Sequence, residues 1–443
     1  MIQLLGIFQF IIILGVLVYE YKKGSISIFL WAMLLLVVGV AHLIFIFFKS
    51  ESYSSIVFLE SNIFNLGFIL LYFITRIFLI KISKKNNIFS LKNVLLKKET
   101  KEEIYLEKVM QFLSIFSVLA ICIYSDKKYG GILNVSWGNL GEGEVIYSYG
   151  KDIYSVIYFW SRMLITIPAG LLFIYFYKKK YLKYLIWLGI LGFHVIITRN
   201  RADILPLLAA TCLVFIVKYR KISLKIIIIG ITLGIISILL MYGLRLFRFY
   251  GTLDNFLDNF VLDDFIEKLL KMLKDNNGEL NLIDAYYYFI ENDNNFKDFG
   301  QLSTYIRIIL FWLPTRFSGG IKPFDFAIMM GSAYSRNIYN TTYSMHPTLF
   351  GDCYANLGFL GIVLGIFWAV FVKVIDRLCD RKKYIYKIFL SVIWGYSYIV
   401  IGRGSVYNGF YYGIRGTIIL GIIYFIVKVM LVLRKGIKYN YKN

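Results

Sequence analysis

His346, Asp352 and a small set of arginines are the side chains of this sequence best suited to chemistry. His346 stands in the run Ser344-Met345-His346-Pro347-Thr348-Leu349-Phe350-Gly351-Asp352, where a long polar stretch gives way to an apolar one. An imidazole with an ordinary pKa of about 6.5 accepts a proton at neutral pH, so one reading is a general base acting on a hydroxyl. The other is a histidine that caps a turn before proline. Asp352, six residues on, is the second candidate for acid-base or orienting work. His42 and His194 sit inside apolar runs and read as packing residues.

The arginines suggest anion binding. Arg199-Asn200-Arg201-Ala202-Asp203 separates two short apolar runs. Its two guanidinium forks on one tight turn match the oxygens of a diphosphate; the alternative is a hairpin tip whose arginines reach to lipid phosphates. Arg245 and Arg248 are three residues apart and share a helix face, as an exit anchor or as a second anion contact. Arg316 lies in a Gly-rich aromatic stretch. Arg403 and Arg415 flank Gly404-Ser405-Val406-Tyr407-Asn408-Gly409-Phe410-Tyr411-Tyr412-Gly413, whose tyrosines would suit sugar rings or an interfacial aromatic belt. No metal-ligand spacing, Gly-rich phosphate loop or serine elbow is present, so no metal and no cofactor is expected.

The elements that must position these residues are membrane spans. The 443 residues are 58% hydrophobic and 18% aromatic, with mean hydropathy +0.66, which excludes an ordinary soluble core. The net charge of +22 is broken into short clusters between apolar runs, which fits membrane topology and not nucleic acid. Apolar length predicts an all-α, polytopic bundle of about eleven spans, near 2–19, 26–48, 56–80, 104–124, 153–177, 183–198, 203–218, 226–243, 351–372, 388–402 and 413–433. The first span lacks a basic leader region and is expected to be retained. Cys122, Cys212, Cys353 and Cys379 are too scattered for a disulfide framework.

The spans form one integral domain over 1–443, with residues 244–350 inserted as a large loop between spans eight and nine. Lys and Arg gather in alternate short loops, which places the C-terminus in the cytoplasm and the large loop outside. Within the loop, Leu253 to Leu269 repeats at helical spacing until Asp275-Asn276-Asn277-Gly278; further helical stretches follow near 282–290 and 304–313. Gly230, Gly234, Gly358, Gly361 and Gly365 offer small faces for close helix packing.

This layout, with Thr198-Arg199-Asn200-Arg201 as a short Arg-rich outer turn and the loop exit from His346 to Gly361, resembles the bacterial O-antigen polymerases, the Wzy-type oligosaccharide repeat-unit polymerases. The architectural likeness covers the whole chain and the sequence likeness about 30 residues at these two places. The resemblance implies a transferase, a glycosyltransferase of lipopolysaccharide and polysaccharide biosynthesis in the bacterial inner membrane, with the large loop in the periplasm. It would join undecaprenyl diphosphate-linked repeat units. It further implies His346 or Asp352 as base or acceptor-orienting group, and Arg199, Arg201, Arg245, Arg248, Arg316 and Arg403 on diphosphate. Undecaprenyl diphosphate-linked oligosaccharides and membrane lipids are then the partners, with a polysaccharide chain-length regulator as a further one. An O-antigen ligase acting on lipid A core has the same layout; a lipid-linked oligosaccharide flippase or transporter is a rival of a different class.

Overall fold

An apolar run of about 20 residues buried in hydrocarbon satisfies its peptide groups only by coiling on itself, and that requirement sets the secondary structure here. The computed structural model describes residues 2–48, 52–81, 88, 91, 100–132, 156–157, 160–161, 164–198, 201–219, 228, 230, 232, 234–236, 239–240, 242–243, 246, 252–274, 279–293, 302–313, 317–324, 329–331, 345–380 and 384–440. Among the described residues the protein is all-helical: α1 (Ile2–Lys23), α2 (Ile28–Phe48), α3 (Ser55–Lys81), α4 (Lys101–Tyr129), α5 (Gly170–Tyr177), α6 (Tyr181–Thr198), α7 (Arg201–Lys218), α8 (Leu253–Asn259), α9 (Leu262–Lys274), α10 (Leu282–Glu291), α11 (Ser303–Ile309), α12 (Thr348–Leu357), α13 (Leu364–Asp380), α14 (Tyr384–Gly402) and α15 (Val406–Asn440).

Eight helices among the described residues are long and apolar enough to cross a bilayer. They are α1, α2, the Ser55–Leu79 part of α3, the Lys101–Lys127 part of α4, α6, α12 with α13 as one span Thr348–Asp380, the Ile385–Gly402 part of α14, and the Val406–Leu433 part of α15. These mark a membrane protein, and each coincides with an expected span. Of the remaining three expected spans, 153–177 and 226–243 are described only in part, the former ending in α5. The third, 203–218, falls in α7, which carries Arg201, Asp203, Lys218 and an internal Pro206.

The residues divide into two compact units. The first takes in residues 1–87, 267–380 and 395–411, and so contains α1 to α3, α10 to α13 and the turn between α14 and α15. Here α13 packs along α3, and a Cβ at Gly365 would overlap the carbonyl oxygen of Phe68. Gly361 likewise admits no side chain against the Cys353 carbonyl. Gly358 has φ +56 and opens a 3-10 stretch, Gly358–Val363, that breaks the span into its two helices. For Gly230 and Gly234, no described residue lies within 4 Å of a Cβ placed there.

α10 is the part of the insertion that the core absorbs. It packs against α3 and α12, with Ile283, Tyr286, Tyr287 and Phe289 all fully buried. Buried hydroxyls need partners. Tyr286 donates to Asn65 Oδ1 at 3.0 Å, and Asn65 Nδ2 donates to Gln9 Oε1 at 3.1 Å. Tyr287 is hydrogen-bonded to His42 Nδ1, and His42 Nε2 pairs with Asn62 Oδ1 at 3.1 Å. His42 is therefore held on both ring nitrogens inside the core. The single amphipathic helix expected over 253 to 269 is instead α8 and α9, separated where Phe260 takes extended backbone.

A third polar centre lies at the far end of the first unit, where α1, α3 and α13 all finish. Arg76 bonds Glu20 Oε1 at 2.8 Å and Oε2 at 2.9 Å, and also reaches Asp376. Tyr72 donates to Glu20, and Ser25 donates to both oxygens of Asp376 at 2.9 Å. All of these residues are buried. A buried cation between two carboxylates is tolerated only when its partners are this well bonded.

The second unit, residues 88–266, 381–394 and 412–443, contains α4 to α7 packed on one another. Thr100 and Glu103 form a reciprocal capping box that starts α4, and Gly130, at φ +71, ends it. His194 lies 3.3 Å from the Ser161 hydroxyl within this unit.

Candidate functional site

The head of the span Thr348–Asp380 gathers the polar side chains that sequence reading singles out in the first unit. The turn Met345-His346-Pro347 runs into α12, and Thr348, its first helical residue, has φ +69. Such a conformation strains a β-branched residue. What over-determines it is the neighbouring turn. The Thr348 amide donates to the Arg403 carbonyl at 3.2 Å. Gly404, at φ +97, leaves room for that contact, since any Cβ there would overlap the Thr348 backbone. The turn bearing His346 and the turn bearing Arg403 are thus docked together at one end of the unit, and both side chains are half-buried.

Asp352 lies one turn into α12 and is only 1% exposed. Its Oδ2 accepts from the Thr304 hydroxyl at 3.0 Å and its Oδ1 from Asn356 Nδ2 at 3.3 Å. Asn356 also accepts, on Oδ1, the Thr304 amide at 3.1 Å. Its backbone carbonyl, near the break at Gly358, accepts the Leu302 amide at 3.2 Å. Leu302 has φ +62. Among the described residues only four non-glycine residues have positive φ, and two of them, Leu302 and Thr348, fall at this site. One residue along, the Tyr305 hydroxyl lies 3.4 Å from Cys353 Sγ. Burial, then Cys353 and Asp352, push its phenol well above the ordinary range, so it stays protonated.

α11 carries Arg307, whose guanidinium sits 4.5 Å from the ring centre of Tyr407, in the first turn of α15. Lys322 Nζ lies 5.8 Å from the same ring. The stretches that carry these two cations, His346, Arg403 and Asp352 are linked into one layer by the Arg307–Tyr407, Thr348–Arg403 and Thr304–Asp352 contacts, on the side where α14 ends and α15 begins. An acid-base group, a fixed carboxylate and cations in one layer can deprotonate a hydroxyl and stabilise an oxyanion.

Comparison of the sequence with protein-family models, with characterised proteins and with solved structures gives no match.

The other sequence candidates are not brought into this layer by anything described. Arg199, Arg245, Arg248 and Arg316 lie outside the described residues. Arg201 is the first residue of α7, in the second unit. Sequence reading missed Thr304, Asn356 and Arg307 as site members, and weighed Tyr407 only among the tyrosines of 404–413 that would suit sugar rings or an aromatic belt. Two signals were legible: Asp352 and Asn356 are four apart on one helix face, and Arg307 is the only charge in the apolar run 302–313.

Proposed function

We propose that this chain is an inner-membrane glycosyltransferase that polymerises surface polysaccharide from undecaprenyl diphosphate-linked repeat units. The reading places the site layer and the large loop in the periplasm, the C-terminus in the cytoplasm, and a chain-length regulator among the partners. The observation that supports it is the backbone docking of Thr348, two residues after His346, onto the Arg403 carbonyl, which joins the two stretches that carry a candidate proton acceptor and a candidate diphosphate contact.

The reaction needs those two groups. His346 takes the proton of the acceptor sugar hydroxyl, whose oxygen forms a bond to the anomeric carbon of the growing glycan. The bond from that carbon to its diphosphate oxygen breaks, and the diphosphate leaves with the electron pair, its charge met by Arg403. Arg199, Arg201, Arg245, Arg248 and Arg316 are further diphosphate contacts in this reading. Asp352 is a positioning residue: enclosed by Thr304 and Asn356, it sets where α12 begins and so where His346 points.

The test is the lipopolysaccharide ladder of a host strain with the gene deleted, then restored. Collapse to core plus one repeat unit, reversed by the wild-type gene and not by His346→Ala or Arg201→Ala at equal membrane levels, supports the polymerase. Collapse to bare core assigns the chain to glycan ligation or lipid-linked glycan flipping instead.

A further inference from the structure

Among the described residues, Arg307 and Lys322 form a cationic pair with no counter-charge. Lys322 is 7% exposed; its Nζ donates to the Leu313 carbonyl at 2.8 Å. Arg307 Nη1 donates to the Pro323 carbonyl at 2.5 Å, while its Nε is buried and makes no hydrogen bond among the described residues. The two ion-paired contacts found among the described residues both belong to Arg76, so no described carboxylate lies within salt-bridge distance of Arg307 or Lys322. Both lie over the face of Tyr407, which attracts cations but brings no negative charge. Burial and the Arg307 charge also pull Lys322 below its ordinary range, a sign that the two cations disfavour each other.

What surrounds this pair is apolar and exposed. Ile309, Trp312, Phe317, Ile321 and Phe324 are each more than two-thirds exposed. Ile321 adjoins Lys322, and Phe324 adjoins Pro323, whose carbonyl holds Arg307. Water is a poor neighbour for such a rim, and a soluble anion would leave it wet. An amphiphile satisfies both halves: an oxyanion head on the cations and an acyl or prenyl chain along the rim.

We infer that Arg307, Lys322 and the face of Tyr407 form a binding site for the phosphate head of a membrane lipid, with the exposed side chains of Ile309, Trp312, Phe317, Ile321 and Phe324 lying along its tail. The inference rests on the polymerase reading only for which lipid is bound, a polyprenyl diphosphate; the phosphate site itself does not depend on it.

The experiment uses the full-length protein in phosphatidylcholine nanodiscs and measures binding of farnesyl diphosphate by calorimetry. Saturable binding that falls at least about tenfold in Arg307→Gln and in Lys322→Met, equivalent to ~1.4 kcal/mol, is the expected result. Thermal unfolding separates binding from folding. Farnesyl diphosphate should raise the Tm of wild type and not of either variant, and Lys322→Met without ligand should melt no lower than wild type, because it removes an uncompensated buried charge. Equal affinity of wild type and variants overturns the proposal. So does free inorganic pyrophosphate binding as tightly as farnesyl diphosphate, since that makes the site a soluble-anion site. Phosphatidylglycerol discs that abolish binding would overturn the diphosphate as the lipid and assign a bulk headgroup. A farnesyl diphosphate site in a strain whose ladder is unchanged by deletion would sink the polymerase reading and leave the site standing.

Discussion

The hydroxyl of Thr304 donates to the carboxylate of Asp352 across 3.0 Å, and this contact ties the loop insertion to the head of a membrane span. Both residues are buried, and Asn356 closes the third side of the arrangement. Replacing Thr304 by Val removes one donor from a buried carboxylate, a loss of about 1.5–3 kcal/mol. Thermal melting of detergent-solubilised Thr304→Val, Asp352→Asn and the double variant is expected to show strong non-additivity. Simple additivity would mean that the two side chains do not act as a unit.

The turn at Gly404 makes a sharper case. Gly404→Ala must move away from φ +97 and from the Thr348 backbone, so it separates the Arg403 turn from the His346 turn. Polymer formation in complemented cells should be lost while membrane insertion, read by fluorescence-detected size exclusion, is kept. A full ladder from Gly404→Ala would show that this docking is not needed.

At the other end of the unit, Arg76→Met leaves Glu20 and Asp376 buried without their shared cation. The expected cost is roughly 3–5 kcal/mol, whereas neutralising all three as Glu20→Gln, Arg76→Met and Asp376→Asn together should cost markedly less. Comparison of the single and triple variants by thermal unfolding decides the matter; a triple variant as unstable as Arg76→Met would contradict the ion-triad account.

Much of this fold was legible and some of the site was not, for one physical reason. Apolar runs long enough to cross a bilayer announce themselves residue by residue, which is why eight spans could be placed from local composition. The burial of α10 could not. Its partners Asn65 and His42 are more than 200 residues away, and a Tyr-rich stretch suits an interface as well as a core. Glu20, Arg76 and Asp376 each stand near a helix end beside basic loops, so singly each resembles an ordinary boundary charge. His346 and Asp352 were visible by type, but the enclosure of Asp352 by Thr304 depends on a contact across 48 residues.

Small residues give a paired prediction. Gly365→Ala has to push α13 off the Phe68 carbonyl, and a shift of helix packing of that kind costs about 1–3 kcal/mol. Gly189 in the middle of α6 has no described residue within 4 Å of a would-be Cβ, so Gly189→Ala is expected to stabilise by about 0.5–1 kcal/mol through helix propensity. Melting temperatures that move in the same direction for both would refute the packing assigned to Gly365.

Lys322 gives a pH signature. Burial and then Arg307 lower its pKa from the ordinary 10.5, so between the folded and unfolded values the unfolded chain holds more protons. Its contribution to stability therefore improves as pH rises through that window and is complete above 10.5. Lys322→Met should lack this alkaline gain. Scanning fluorimetry from about pH 8 upward checks the sign; a variant with the wild-type pH slope would place the titration elsewhere.

The interruption at Gly358–Val363 has a consequence for how α11 is held. By ending α12 early it frees the Asn356 carbonyl to receive Leu302, and with Thr304 that contact fastens α11 within three residues of sequence. The join is therefore confined to a few atoms of Leu302, Thr304, Asp352 and Asn356, so a single substitution at any of the four disturbs two helices at once, as a shared rivet does to two plates.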